Sequence, residues 1–218
     1  MLLLIFLLVF VFTDMVFARA GGGGGGKGGG IVYLILLPFF IIYSIILTFF
    51  IKKKNKEANA LIEKIEKNDK FWDMETVKKR VEQAYFKVQQ AWTERDQDIA
   101  KDYMSEALYQ KHKMQTDAMI SNHEKNVLER INLKDARIVE VLDYKDDAKD
   151  KMWVYIRGSM IDYTIDDQTG NVKSGKDNEP EDFAELWKFI RYPHAWVLDE
   201  IDQTVTISEL AGLASYSE

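Results

Sequence analysis

Few residues in this chain are able to do chemistry, and they are scattered. The 218 residues include no cysteine, which excludes disulfides, thiolate metal sites and cysteine nucleophiles. The three histidines, His112, His123 and His194, lack any spacing such as HxxxH that would set two imidazoles on one helix face. No metal or cofactor is expected. General acid–base catalysis needs a carboxylate or imidazole in an apolar site, with a shifted pKa and a partner donor. Asp162, beside Tyr163 and on one strand face with Val154, Ile156 and Met160, is the best candidate. No paired base or second carboxylate accompanies it, so the pattern points away from an enzyme. Arg95 and Asp96, three and four residues after Trp92, read as a helix end rather than a recognition pair.

A binding role fits the aromatics better. Trp153, Tyr155, Trp187, Phe189 and Trp196 fall on expected strands, with Arg191 at the end of one of them. On the concave face of a curved sheet they would line a pocket for a lipid or small apolar ligand. Packed beneath a helix they would be ordinary core, where aromatics dominate. Arg191 shares a strand face with Trp187 and Phe189, and Glu185 on that face is its expected partner, since a buried arginine needs one.

The elements that position these residues begin after a long apolar approach. Residues 31–51, "IVYLILLPFFIIYSIILTFFI", carry no charge. At about 1.5 Å per residue they match the roughly 30 Å of a bilayer core, and Pro38 is tolerated there. Lys52, Lys53, Lys54 and Lys56 follow at once. A basic flank marks the cytoplasmic side, and lysines there favour anionic lipid. Upstream, "LLLIFLLVFVF" and Ala18-Arg19-Ala20 read as a secretory signal over residues 1–20, although no basic residue precedes the apolar run. An uncleaved first membrane helix is the alternative. Residues 21–30 are glycine-rich and serve as a flexible outer tail or outer turn. Both alternatives leave the C-terminal domain in the cytoplasm, on a cell inner (plasma) membrane.

Residues 52–70 form a basic juxtamembrane helix, with Ala58, Leu61, Ile62 and Ile65 at helical spacing. It is either a solvated spacer or a strip resting on lipid. Beyond it, Asp73 caps a helix whose stripe is Met74, Val77, Val81, Ala84, Tyr85, Val88, Ala91 and Trp92. Ser105 caps a second helix to about His123. The period then changes to two over 136–144, 151–165, 183–191 and 195–201, which read as four strands. The fold class is α+β, with helices packed on a curved antiparallel sheet over residues 71–203 and a tail over 204–218. These distal residues, 71–218, hold 20 basic and 30 acidic groups. A charge near −10 makes nucleic acid an unsuitable partner, because that binding rests on neutralising phosphates.

Three stretches in order, "FKVQQAWTERD" (86–96), "YMSEALYQKH" (103–112) and "ELWKFIRYPHAWVLDEI" (185–201), carry a family resemblance. They resemble the C-terminal domain of the 44-kDa subunit of the translocase of the inner mitochondrial membrane and its bacterial membrane-anchored relatives. The resemblance implies a cone-shaped fold like nuclear transport factor two. It also implies protein handling at a membrane, with acidic lipid and a protein partner. This chain departs in having its own span and a signal-like segment, so the family's particular partners do not carry over. The expected function is a non-enzymatic, membrane-anchored interaction module that tethers an unidentified protein, with protein transport as the related task. The alternative is a lipid- or ligand-binding protein.

Overall fold

The computed structural model describes residues 29–218; the signal-like segment and residues 21–28 lie outside the described residues. The described residues fall into two units, one ending at Tyr43 and the other spanning Ser44–Glu218. Helix α1 spans Gly29–Ile65 with Pro38 inside it. Within the first unit its side chains Leu37, Phe39, Ile41 and Ile42 are exposed. Among the described residues α1 is the one helix long and apolar enough to cross a membrane.

In the second unit, one stripe of α1 is protein-facing. Leu47, Phe50 and Ile51 begin it, and Ala58, Ile62 and Ile65 are buried further on. These positions recur at three- and four-residue steps, the spacing that lines one helix face. The two polar residues in the stripe are satisfied: Asn55 Nδ2 donates to Ile138 O at 2.9 Å and Lys54 Nζ to Leu213 O. Residues 52–65 are therefore neither a solvated spacer nor a strip on lipid alone. Their buried face, Ala58, Ile62 and Ile65, is part of the domain core, while Lys52, Lys53 and Lys56 are exposed.

After a 3₁₀ turn at Lys70–Trp72, helix α2 (Met74–Glu94) starts at Asp73, whose carboxylate accepts from Thr76 N–H at 2.9 Å. It buries Val77, Val81, Ala84, Tyr85, Val88 and Ala91 and stops where Arg95 turns left-handed (φ 55°). A second 3₁₀ segment, Gln97–Tyr103, leads to α3 (Glu106–Ser121), capped by Ser105.

The sheet is strongly curled. Strands β1 (Glu124–Asp143) and β2 (Lys151–Asp166) run antiparallel, with register shifts between Glu129 and Asn132, Leu133 and Asp135, and Ile138 and Glu140. Each shift adds bend and twist. Strands β4 (Glu181–Arg191) and β5 (Trp196–Asp202) continue it antiparallel, β3 (Val172–Gly175) pairs with the far end of β2, and β6 (Tyr216–Ser217) adds to β1 in parallel. The order is β5-β4-β2-β1-β6, a mixed sheet rather than a purely antiparallel one. The fold is α+β, with helices packed on this curled sheet.

Both faces are covered. Met152, Val154 and Ile156 of β2 join Trp187 and Phe189 of β4 in the core beneath α2. Their neighbours Trp153, Tyr155 and Leu186 point the other way, to Leu47, Phe50, Ile51 and the short helix α4 (Ile207–Gly212). Gly158 marks a close approach on β2: a Cβ there would stand 2.6 Å from Phe183 Cζ and 2.7 Å from Tyr85 Oη.

Because Ile62 is fully buried, Ile62→Ala should destabilise the domain by about 2–5 kcal/mol. Lys56→Ala, at an exposed position beside it, should leave stability unchanged. Thermal unfolding of the full chain in mild detergent, followed by near-ultraviolet circular dichroism, distinguishes the two.

Candidate functional site

A groove of about 710 Å³ opens between α2, α3 and the inner face of the sheet. Three of its walls carry chemistry. Glu185 of β4 accepts from Trp187 Nε1 at 2.8 Å and from Gln203 Nε2 at 3.4 Å. Burial pushes its carboxyl above the usual range, and these two hydrogen bonds pull only partly back. Asp162 is exposed at the groove and accepts from Asn126 Nδ2 at 2.7 Å, while Asn126 Oδ1 accepts from Trp92 Nε1 at 3.0 Å. His112 of α3 stands edge-on to Trp92, ring centroids 5.2 Å apart. Its Nδ1 is buried without a partner, and burial drives its pKa down to about 4. The groove thus mixes indole faces with carboxylates. Among the described residues neither Asp162 nor Glu185 forms an ion pair.

The aromatics proposed from sequence do not converge on one cavity. Trp187 borders the groove, whereas Phe189 is fully buried beneath α2. Trp196 packs on Trp72 at 4.5 Å and donates to Phe71 O at 3.1 Å. Trp153 and Tyr155 lie on the opposite sheet face. Strand alternation separates them, since neighbouring positions on β2 and β4 face opposite ways.

Arg191 has partners other than the one expected. Glu185 is taken by Trp187 and Gln203. Arg191 instead pairs with Asp69, with Asp147 at 2.9 Å and with Asp150 at 3.0 Å, and lies 4.2 Å over the Phe71 ring. Asp69, Asp147 and Asp150 are close enough together to hold a metal ion, but the guanidinium stands among them. Asp150 is fully buried, and burial pushes its carboxyl up against the pull of Tyr144 N–H and Arg191. This cluster ties the segment after α1 to the β1–β2 turn and to the end of β4.

The lysines divide. Lys52, Lys53 and Lys56 are exposed, while Lys54 is drawn in to the Leu213 carbonyl. Lys53 and Lys54 both stand 3.9 Å from Glu57.

The groove residues His112, Asn126 and Gln203 were not singled out from the sequence. Glu185 was legible as an acidic residue on an inward strand face. The signal that could have found His112 is its helical spacing, four residues after Leu108, which puts both on the buried face of α3.

A family model for the Tim44-like domain matches residues 58–203, more than half of the chain. The chain belongs to the Tim44-like domain family. The match begins at Ala58, inside the buried stripe of α1. Members of the family are non-enzymatic import or interaction modules. A crystal structure of the intermembrane space region of the chloroplast protein ARC6 is similar at a TM-score of 0.40 and 8% identity, covering 58% of this chain and 95% of that one. No curated protein matches.

His112 in the Tim44-like domain should make it acid-sensitive. Its imidazole titrates near 6.5 when unfolded and near 4 when folded. Between those values only the unfolded chain takes up the proton, so stability is full above the higher one and falls as pH is lowered. At pH 5 the loss is about 2 kcal/mol. His112→Phe should remove most of that loss, checked by thermal unfolding of both proteins at pH 7 and pH 5.

Proposed function

We propose that this chain is a non-enzymatic membrane anchor whose Tim44-like domain holds a protein partner at the membrane surface. The observation that carries this reading is the junction at α1. Ala58, where the domain begins, lies on the helix whose exposed face at Ile45, Ile46 and Phe49 is apolar. The span is single-pass, in the inner (plasma) membrane, with the domain on the cytoplasmic side. Lys52, Lys53 and Lys56 face anionic headgroups, each contributing on the order of 1 kcal/mol. Tethering raises the domain's effective concentration for any partner that also sits in or on the membrane. Handling of proteins in transit is the kind of task this arrangement serves. Nucleic acid is not a partner on this reading, given the acidic domain.

A second reading takes the groove as the working part, binding a lipid or small apolar ligand. The groove's volume favours it, since small-molecule sites span roughly 300–1,000 Å³.

Mass spectrometry of everything that co-purifies with the full chain in mild detergent tests both readings. The comparison is a chain lacking residues 71–218. The anchor reading predicts a stoichiometric protein partner that is lost with the domain. A lipid or small molecule lost with the domain, with no protein partner, would overturn tethering in favour of the groove.

A further inference from the structure

We propose that residues Val205–Ala214 form a membrane-facing pad that seats the domain directly on the bilayer, with α4 in the headgroup layer. The inference rests on the anchor reading and adds the surface by which the domain meets lipid.

The pad is fixed to the last apolar turns of α1. Leu210, fully buried, clusters with Ile51, with Leu47, Phe50, Val205 and Leu213 packed around them. Lys54 Nζ donates to Leu213 O. The pad's C-terminal end is pinned as well: Ala214 N–H donates to Glu140 Oε1 at 2.7 Å, and the next residue's Ser215 Oγ accepts from Val141 N–H at 3.1 Å. The segment is therefore clamped beside α1 between Leu47 and Lys54.

The depth of that stretch follows from its other face. Ile45, Ile46 and Phe49 are 63%, 40% and 63% exposed. Large apolar side chains at such exposure belong in lipid. Lys52 and Lys53 follow, where ammonium groups meet headgroups. From Phe49 to Lys54 the helix rises only about 8 Å, so hydrocarbon gives way to headgroups within that interval. A segment clamped alongside must lie at the same level.

Its chemistry suits that level. "VTISELAGLA" contains one ionisable side chain, Glu209. That carboxylate is turned back into a capping box, accepting from Thr206 N–H at 2.7 Å and Thr206 Oγ1 at 2.9 Å. Ala211, Gly212 and Ala214 are exposed. On a domain carrying a large excess of acidic residues, this surface, with Glu209 as its one ionisable group, is weakly repelled by anionic lipid.

The cysteine-free chain permits a direct test. Single-cysteine variants Ile45→Cys, Ala211→Cys and Asn178→Cys, each in the full chain, carry an environment-sensitive fluorophore. They are reconstituted in phosphatidylcholine–phosphatidylglycerol vesicles, with and without lipids spin-labelled near the headgroup. Asn178 lies in the exposed β3–β4 connection. The expected result is loss of emission at positions 45 and 211, with position 178 unquenched. Quenching at 45 but not at 211, or equal quenching at 211 and 178, would overturn the pad while leaving the anchor. Absence of quenching at 45 would overturn the anchor reading and the pad with it.

Discussion

The buried stripe of α1 from Leu47 to Ile65 is the constraint on which the second unit depends. Removing it would uncover two apolar surfaces at once. Ala58, Ile62 and Ile65 close the core that α2 shares with the inner sheet face, and Leu47, Phe50 and Ile51 cover Tyr155 and Leu186 on the outer face. A domain of this size depends on nearly all of its apolar burial for a net stability of only about 5–15 kcal/mol. The segment that continues the apolar run is thus a structural member of the domain. A partner held by the domain is held by α1 as well.

The Arg191 cluster extends the same logic at the domain's other joints. Three carboxylates converge on one guanidinium, and a single residue links the chain after α1, the β1–β2 turn and the β4 end. Removing the arginine would strand Asp150, which is fully buried, without its cation. The three aspartates therefore read as a joint between elements. The groove differs from this joint because Asp162 and Glu185 meet amides and an indole, and neither forms an ion pair among the described residues.

Much of this was legible in the sequence, and the rest had physical reasons to stay hidden. The stripe of α2, the caps at Asp73 and Ser105, and the α+β order follow from periodicity and side-chain chemistry. The first half of β1 did not, because its register shifts and Arg130 at φ 49° break the alternation by which a strand is read. Residues 204–218 gave no periodic signal because α4 and β6 are too short to show one, yet both are pinned by long-range contacts. At the site, the spacing in "WVY" and "LWKF" places aromatics on strands but does not say which face of which strand curls inward. Trp153 and Tyr155 parted from Trp187 for that reason. Arg191 found its partners in loops, which strand alternation cannot foresee.

The central claim is that the face of α1 carrying Ala58, Ile62 and Ile65 belongs to the domain core, so this stretch is not a free linker. Hydrogen exchange of the full chain in lipid bilayers tests it most directly, with protection resolved along α1 and compared with α2. The account predicts that amides around Ala58–Ile65 exchange as slowly as those around Val81–Val88 and through the same global opening. Exchange there at the rate of an exposed, fraying helix, while α2 remains protected, would contradict it.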